Sequence, residues 1–132
     1  MMYREGNGII TQIEVEVKKL QKLADLNTSM IDKYGEQLGK NLRTLKMHQI
    51  RRIYTELRRI HSQKSKFDAT SLTLLKARFA YAAGRNDEVK PLYELYSKCL
   101  PKVQTFDDFE KLLGFFEAVI AYHKYYYPRG GE

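Results

Sequence analysis

The sequence predicts an all-α protein, built as one domain over residues 1–132 in a single bundle of about five helices. Apolar residues recur at spacings of three and four along most of the chain, which is the helical period. Helix start and stop signals separate these runs, and no segment has the sustained alternation of a strand. A chain of this length buries about two thirds of its unfolded surface as one domain.

The N-terminal segment, residues 1–40, carries the first helical pattern. Thr11 followed three residues later by Glu14 fits a capping box, which marks a helix start. The alternation over residues 13–17 also fits a strand, but it is short and continues into the helical series. That series fits one long helix or two joined near Asn27 and Thr28, and its positions are Ile13, Val17, Leu20, Ala24, Asn27, Ile31, Tyr34 and Leu38.

The next break is expected at Gly35, Gly39 and Asn41, because glycine and asparagine interrupt helices. Thr44 is then a candidate cap for a helix running to about Gln63. This helix has a narrow apolar stripe, consisting of Ile50, Ile53, Tyr54, Leu57 and Ile60.

A third helix is predicted over residues 71–83, apolar except for Lys76 and Arg78, with Gly84 as its C-terminal stop. Its composition favours a place in the middle of the bundle. Asp87 is the candidate cap of a fourth helix, which ends before Pro101.

The fifth helix is predicted from Phe106 to about Tyr126. Thr105 and Asp108 have the spacing of a capping box at its start. Acidic residues in the first turn are favoured by the helix dipole, so Asp107, Asp108 and Glu110 fit a helix start better than a metal site.

Positive charge is concentrated in one part of the chain. Residues 40–85 contain twelve Lys and Arg against Glu56 and Asp68, a net charge of +10, while residues 1–39 carry −1 and residues 86–132 carry −2. A patch this dense repels itself in the folded state and favours a polyanionic partner, most commonly nucleic acid. The alternative is a solvated basic face without a partner.

Four arginines repeat along the second helix. Arg51 and Arg58 are seven residues apart, as are Arg52 and Arg59, so each pair returns to nearly the same side after two turns. Guanidinium groups at this spacing suit phosphates, and few acids lie nearby in the sequence to pair with them.

On the third helix, Lys76 and Arg78 lie about 200° apart, so they do not share a surface and one of them is structural. Arg78, Tyr81 and Arg85 share a side. Tyr81 fits packing in the core better than stacking on a base between the two arginines, although both remain open.

The sequence predicts no enzyme, cofactor or metal site. His48 and His61 are thirteen residues apart on one helix, about 220° round, and His123 falls on an apolar face as a core histidine. The single cysteine, Cys99, excludes an intramolecular disulfide and fits a cytoplasmic location. The apolar runs are too short to span a membrane, and the N-terminus lacks the apolar core of a secretory signal.

Three segments together resemble one known family, the small helical subunit of the type III-A CRISPR-Cas effector, the Csm complex. The first is Leu45 with the run Gln49-Ile50-Arg51, where His48 departs from the family pattern. The second, residues 75–85, reads LKARFAYAAGR and ends in Tyr-x-Ala-Gly-Arg. The third, residues 117–125, reads EAVIAYHKY. The resemblance covers residues 43–128, and the second and third motifs together make it specific.

The resemblance implies a non-catalytic structural subunit, present in several copies, that lies along guide and target RNA beside other subunits of the complex. By motif position it marks Arg51, Lys76 and Arg85 as RNA-facing. The charge pattern adds further candidates, so the full predicted RNA-binding set is Lys46, Arg51, Arg52, Arg58, Arg59, Lys76, Arg78 and Arg85.

Three alternatives remain at this stage. A helical DNA-binding regulator needs base-reading side chains on an exposed helix, whereas this helix offers mainly phosphate-binding ones. A nuclease needs an acid and base pair or a metal site. A protein-only adaptor could use the aromatic tail, Tyr122 and residues 125–127. That tail and the apolar series over residues 13–38 also predict weak self-association.

Overall fold

The computed structural model describes the backbone of residues 2–129 and the side chains of residues 8–129. The described residues form six α-helices and no strand, which confirms the all-α prediction. The helices are α1 (Met2–Lys18), α2 (Thr28–Asn41), α3 (Arg51–Ser62), α4 (Ala69–Arg85), α5 (Lys90–Cys99) and α6 (Phe106–Tyr126).

The N-terminal apolar series is divided between two helices. The Asn27 side chain accepts a hydrogen bond from the Ser29 amide at 2.7 Å and so caps α2, because this amide has no partner within the helix. The capping box expected at Thr11 is wrong, since Thr11 lies well inside α1. The strand alternative for residues 13–17 is also wrong for the same reason.

Two helix ends differ from the predicted ones. The second predicted helix begins at Arg51 rather than after Thr44, because a separate 3-10 turn, Met47–Gln49, precedes it. Gly84 does not stop α4, which continues to Arg85 and is followed by the turn Asp87–Val89. By contrast, the bounds of α6 and its Thr105 and Asp108 capping box are confirmed.

Gly35 and Gly39 do not break α2 but form its contact with α6. A Cβ at Gly35 would lie 2.7 Å from the Ala118 Cβ, and one at Gly39 would lie 2.7 Å from the Val119 carbonyl oxygen. Helix propensity is therefore overridden by packing, because only a residue without a side chain lets the two backbones approach this closely. The α2–α6 pair is the most extensive helix contact of the fold.

The core draws on all six helices and includes an aromatic cluster between α4, α5 and α6. Phe79, Tyr96 and Phe116 are almost fully buried with ring centroids 5.3 to 6.4 Å apart, and Tyr96 donates a hydrogen bond to the Leu72 carbonyl. Cys99 is fully buried beside this core, and burial raises the pKa of its thiol to about 12. None of the helices in the described range is long and apolar enough to cross a membrane.

Three of the four tail tyrosines form hydrogen bonds with α2. The hydroxyl of Tyr122 donates to Asp32 at 2.5 Å, that of Tyr126 donates to Glu36 at 2.6 Å, and that of Tyr127 donates to the Lys40 carbonyl. Tyr125 stays 74% exposed. The aromatic tail is thus mainly an internal contact. The apolar residues of the series over residues 13–38 are also buried or half-buried within the chain. The aromatic tail and the apolar series therefore give no support to self-association, which stays a prediction.

Candidate nucleic-acid interface

A groove of about 640 Å³ lies between the start of α3 and the C-terminal half of α4. It brings together three of the eight residues that the sequence marks as RNA-binding, Arg52, Arg78 and Arg85. Of the described residues, those that line the groove include no carboxylate. They are His48, Gln49, Arg52, Ile53, Leu75, Arg78, Tyr81, Ala82, Arg85 and Asn86.

The arginines converge because each helix buries one side and turns another to the groove. On α4 the buried stripe is Leu72, Leu75, Phe79 and Ala83, which is the helical period on one face. Arg78 and Arg85 are seven residues apart and lie together on a neighbouring face. The third predicted helix is therefore half exposed, not enclosed in the bundle as its composition suggested, and Leu74 remains 70% exposed.

Tyr81 is 68% exposed at the rim of the groove, so the prediction that it packs in the core is wrong. The reason is its register, because Tyr81 lies two residues from both Phe79 and Ala83, about 200° around the helix from each. The Arg85 guanidinium carbon lies 5.9 Å from the centre of the Tyr81 ring. Arginine and tyrosine thus form one continuous edge of the groove.

The side-chain amides of Gln49 and Asn86 also line the groove, a role that the sequence did not predict for either residue. The Gln49 amide donates to the Asn86 side-chain oxygen at 3.3 Å, and its own oxygen accepts from the Lys46 backbone amide at 2.9 Å. These bonds join the turn before α3 to the end of α4. Their only sequence signal is a position at helix ends, where polar side chains commonly act as caps.

Arg58 and Arg59 already have partners, contrary to the expectation that few acids are near them. Arg58 lies 2.9 Å from Glu117 of α6 and also donates to the Tyr54 hydroxyl at 3.4 Å. Arg59 pairs with Glu56 one turn earlier on α3. The hydrogen bond from Arg59, together with the charges of Arg59 and Arg78, lowers the pKa of Glu56.

The remaining predicted residues lie outside the groove. Arg51 and Lys46 are exposed near its α3 end, although neither lines it. Lys76 is half-buried, whereas Arg78 is exposed in the groove, in agreement with the prediction that the two do not share a surface. The arginines of α3 therefore lie on different faces of the helix. Arg52 faces α4, whereas Arg58 faces α6.

The three histidines occupy unrelated places. His48 lines the groove, and His61 lies 3.2 Å from Glu110 at the other end of α3. His123 is only 2% exposed, as a core histidine should be, but its Nε2 atom has no hydrogen-bond partner. Burial lowers the pKa of His123 despite the nearby Leu42 and Leu45 backbone. Across residues 8–129 no group of His, Cys, Asp or Glu is suited to a metal ion.

A family model, Csm2 type III-A, matches residues 25–129, which includes α2 through α6 and the whole groove. The chain belongs to the Csm2 type III-A family. It is therefore a subunit of the type III-A CRISPR-Cas effector, the Csm complex, as the motif resemblance implied. Its family is one of structural subunits. The match to the Csm2 family leaves out α1, which packs on α5 and α2. Neither the curated proteins nor the solved structures gave a significant match.

Proposed function

We propose that this Csm2-family chain is a non-catalytic subunit that binds the RNA backbone through the groove between α3 and α4. Its partners in the complex are guide and target RNA and the neighbouring protein subunits, and it acts in the cytoplasm. The observation that carries the proposal is the convergence of Arg52, Arg78 and Arg85 on one groove without a carboxylate among its described lining residues.

Three permanent positive charges side by side repel one another unless an anion neutralises them. Arg58 and Arg59 have acidic partners within the fold, whereas none is found for the groove arginines among the hydrogen bonds and salt bridges of the described residues. Arginine also suits phosphate, because its planar group donates two parallel hydrogen bonds. A polyanion bound in the groove would therefore neutralise three arginines that make no salt bridge within the described residues.

The other functions considered have weaker support. A protein-only adaptor would use the aromatic tail, but Tyr122, Tyr126 and Tyr127 are engaged with α2. A sequence-specific DNA-binding regulator would present a helix of varied base-reading side chains, whereas the described face of α3 toward the groove offers chiefly Arg52. Catalysis by a histidine pair is disfavoured because His48 lies in the turn before α3 and His61 near the end of that helix, so roughly 15 Å of helix separates them.

The salt dependence of RNA binding tests this proposal. If about four to six cations contact phosphates, the logarithm of affinity for single-stranded RNA falls against the logarithm of salt concentration with a slope near −3 to −4. Arg78→Gln with Arg85→Gln should make this slope shallower by roughly 1.4, because two phosphate contacts are lost. Binding should change little with RNA sequence.

A charge-matched control separates a defined groove from net charge alone. Lys22→Gln with Lys33→Gln removes the same two charges from exposed positions before and within α2, away from the groove lining. Lys111 is unsuitable as a control, because its ammonium donates to the Leu26 carbonyl at 2.8 Å. Equal losses for both double variants would overturn the groove as the RNA site.

The non-catalytic part of the proposal has its own test. Single-stranded RNA incubated with the protein and Mg²⁺ or Mn²⁺ should stay intact, as followed by gel electrophoresis over hours. Cleavage that disappears in His48→Ala or His61→Ala would show that the chain is an enzyme and would refute a purely structural subunit.

A further inference from the structure

We propose that the groove holds one unstacked nucleobase of a single-stranded RNA against Tyr81, with the phosphates on either side held by the groove arginines. This inference rests on the proposed RNA binding and goes further, since phosphate contacts alone do not require a base site. The supporting features are an exposed aromatic ring, an apolar floor and a lining of hydrogen-bond donors.

The first feature is the apolar surface inside the groove, which phosphate binding alone would not require. Tyr81 is 68% exposed, and Ile53, Leu75 and Ala82 line the same groove. A sugar-phosphate backbone gains nothing from such surface, whereas the flat face of a base does. Stacking of a base on an aromatic ring is tolerant of sequence, because every base has such a face.

The second feature is the excess of donors around this apolar surface. Arg52, Arg78 and Arg85 can only donate hydrogen bonds. Gln49 uses its oxygen to accept from the Lys46 backbone amide, and the Asn86 oxygen accepts from Gln49. The Asn86 amide also donates to the Ala82 carbonyl at 3.5 Å, so one N–H of each side-chain amide is left for a ligand. A ligand rich in acceptors fits this lining, as a nucleotide does through its phosphate and base oxygens.

The third feature is the spacing of the groups. Arg78 and Arg85 are seven residues apart, about 10 Å along the axis of α4, with Tyr81 between them. One base can therefore lie against the ring while each neighbouring phosphate reaches its own arginine. The groove volume of about 640 Å³ is also in the range of sites that hold a small ligand.

The experiment compares a twelve-nucleotide RNA with an abasic ribose-phosphate chain of the same length, using fluorescence anisotropy over a salt series. The wild-type protein should bind the RNA about five-fold or more tightly than the abasic chain at each salt concentration. Tyr81→Ala should remove this difference without changing the salt slope, because the phosphate contacts remain. Tyr81→Phe, which keeps the ring, should retain the difference.

Tyr125→Ala is the matched control, since Tyr125 is a tyrosine of similar exposure on α6 and is 74% exposed. It should leave both affinities unchanged. Equal binding of RNA and abasic chain by the wild-type protein would overturn the base site, and so would an equal loss for both chains in Tyr81→Ala. In either case an intact salt slope would leave the proposed backbone binding standing, whereas absence of salt-dependent binding to both chains would overturn both.

A competitor distinguishes a nucleotide from an acidic peptide with aromatic side chains, which shares part of the same chemistry. A random copolymer of glutamate and tyrosine carries negative charge and rings but no phosphodiester. It should displace the RNA weakly and independently of Tyr81. Displacement as strong as that by unlabelled RNA, and lost in Tyr81→Ala, would assign the groove to a peptide and overturn the inference.

Discussion

Gly35 of α2 and Ala118 of α6 touch so closely that a Cβ atom at residue 35 would lie 2.7 Å from the Cβ of Ala118. One turn later, Gly39 meets backbone atoms of α6, the Val119 oxygen at 2.7 Å and the His123 nitrogen at 2.9 Å. Backbone atoms cannot move aside as a flexible side chain can. The register of α6 on α2 therefore depends on these two glycines.

Gly39→Ala should lower the free energy of unfolding by about 1–3 kcal/mol, because the added methyl group overpacks the helix contact. Urea unfolding followed by circular dichroism measures this change. Gly114→Ala on α6 is the control, since nothing lies within 4 Å of a Cβ there. It should raise stability by about 0.5–1 kcal/mol through helix propensity. A stabilising Gly39→Ala would contradict the close contact.

Asp108 connects the start of α6 to the turn Leu23–Asp25. It accepts hydrogen bonds from the backbone amides of Ala24 at 2.8 Å and of Gln104 and Thr105 at 3.0 Å. Asp108→Ala should lower the free energy of unfolding by about 2–4 kcal/mol, because partly buried N–H groups lose their partner. Asp107→Ala, exposed in the same first turn, should cost only about 0.3–1 kcal/mol. Similar losses in both variants would mean that Asp108 stabilises the protein only through its charge near the start of α6.

Protonation of Asp108 at low pH should also lower the free energy of unfolding. Burial opposes the negative charge of this residue, but the backbone amides of Gln104, Thr105 and Ala24 hold the pKa of Asp108 below its ordinary value. A lowered folded pKa means that this stabilisation is present above the unfolded value of about 3.9 and is lost as the pH falls through the folded pKa. The Asp108 part of this loss should be absent in Asp108→Ala, so the variant should lose less stability than the wild type in urea unfolding from pH 5 to pH 2.

His123 should make stability sensitive to pH in a higher range. Burial, helped by the charge of Lys124, lowers its pKa below the ordinary 6.5, so the unfolded chain binds the proton more readily. Stability from this group is therefore complete above about pH 6.5 and declines as the pH falls below it. His123→Leu should lose less stability than the wild type between pH 7.5 and pH 5.

Arg58 should contribute less to RNA binding than Arg52, because Glu117 and Tyr54 already hold it. Arg52→Gln should weaken binding and make the salt slope shallower by about 0.7, whereas Arg58→Gln should have a smaller effect. Glu117→Gln should release Arg58 and make the slope steeper. The control is Glu94→Gln on α5, which makes the same change in net charge. Equal effects of Arg52→Gln and Arg58→Gln would contradict the division of α3 into two faces.

Local signals in the sequence predicted the elements that depend on neighbouring residues. The start of α6 is fixed by Thr105 and Asp108, three residues apart, and was predicted at the right residue. The helix break predicted at Gly35 and Gly39 is wrong, because these glycines contact α6, some eighty residues away in the chain. Helix propensity is measured in isolated helices, whereas these two glycines are favoured by the close packing of α2 against α6.

The candidate site was predictable in composition but not in arrangement. The sequence pattern placed Arg52 on the second predicted helix and Arg78 on the third, which correspond to α3 and α4. It could not show that Glu117, 59 residues from Arg58, would neutralise that arginine, or that α3 would place Arg52 opposite Arg78. Tyr81 fits the core by residue type, because tyrosine commonly buries its ring. The exposed alanines and Leu74 of α4 hide from the sequence which side of the helix is buried.

The buried position of Cys99 has a practical consequence for studying the groove. A thiol reacts as its thiolate, and a pKa raised to about 12 together with full burial leaves almost none at neutral pH. The sequence contains no other cysteine. A cysteine introduced at exposed Thr73 on α4 could therefore be labelled selectively with a maleimide dye while the native thiol is kept. The natural sequence thus serves directly as the background for fluorescence measurements of RNA engagement on α4.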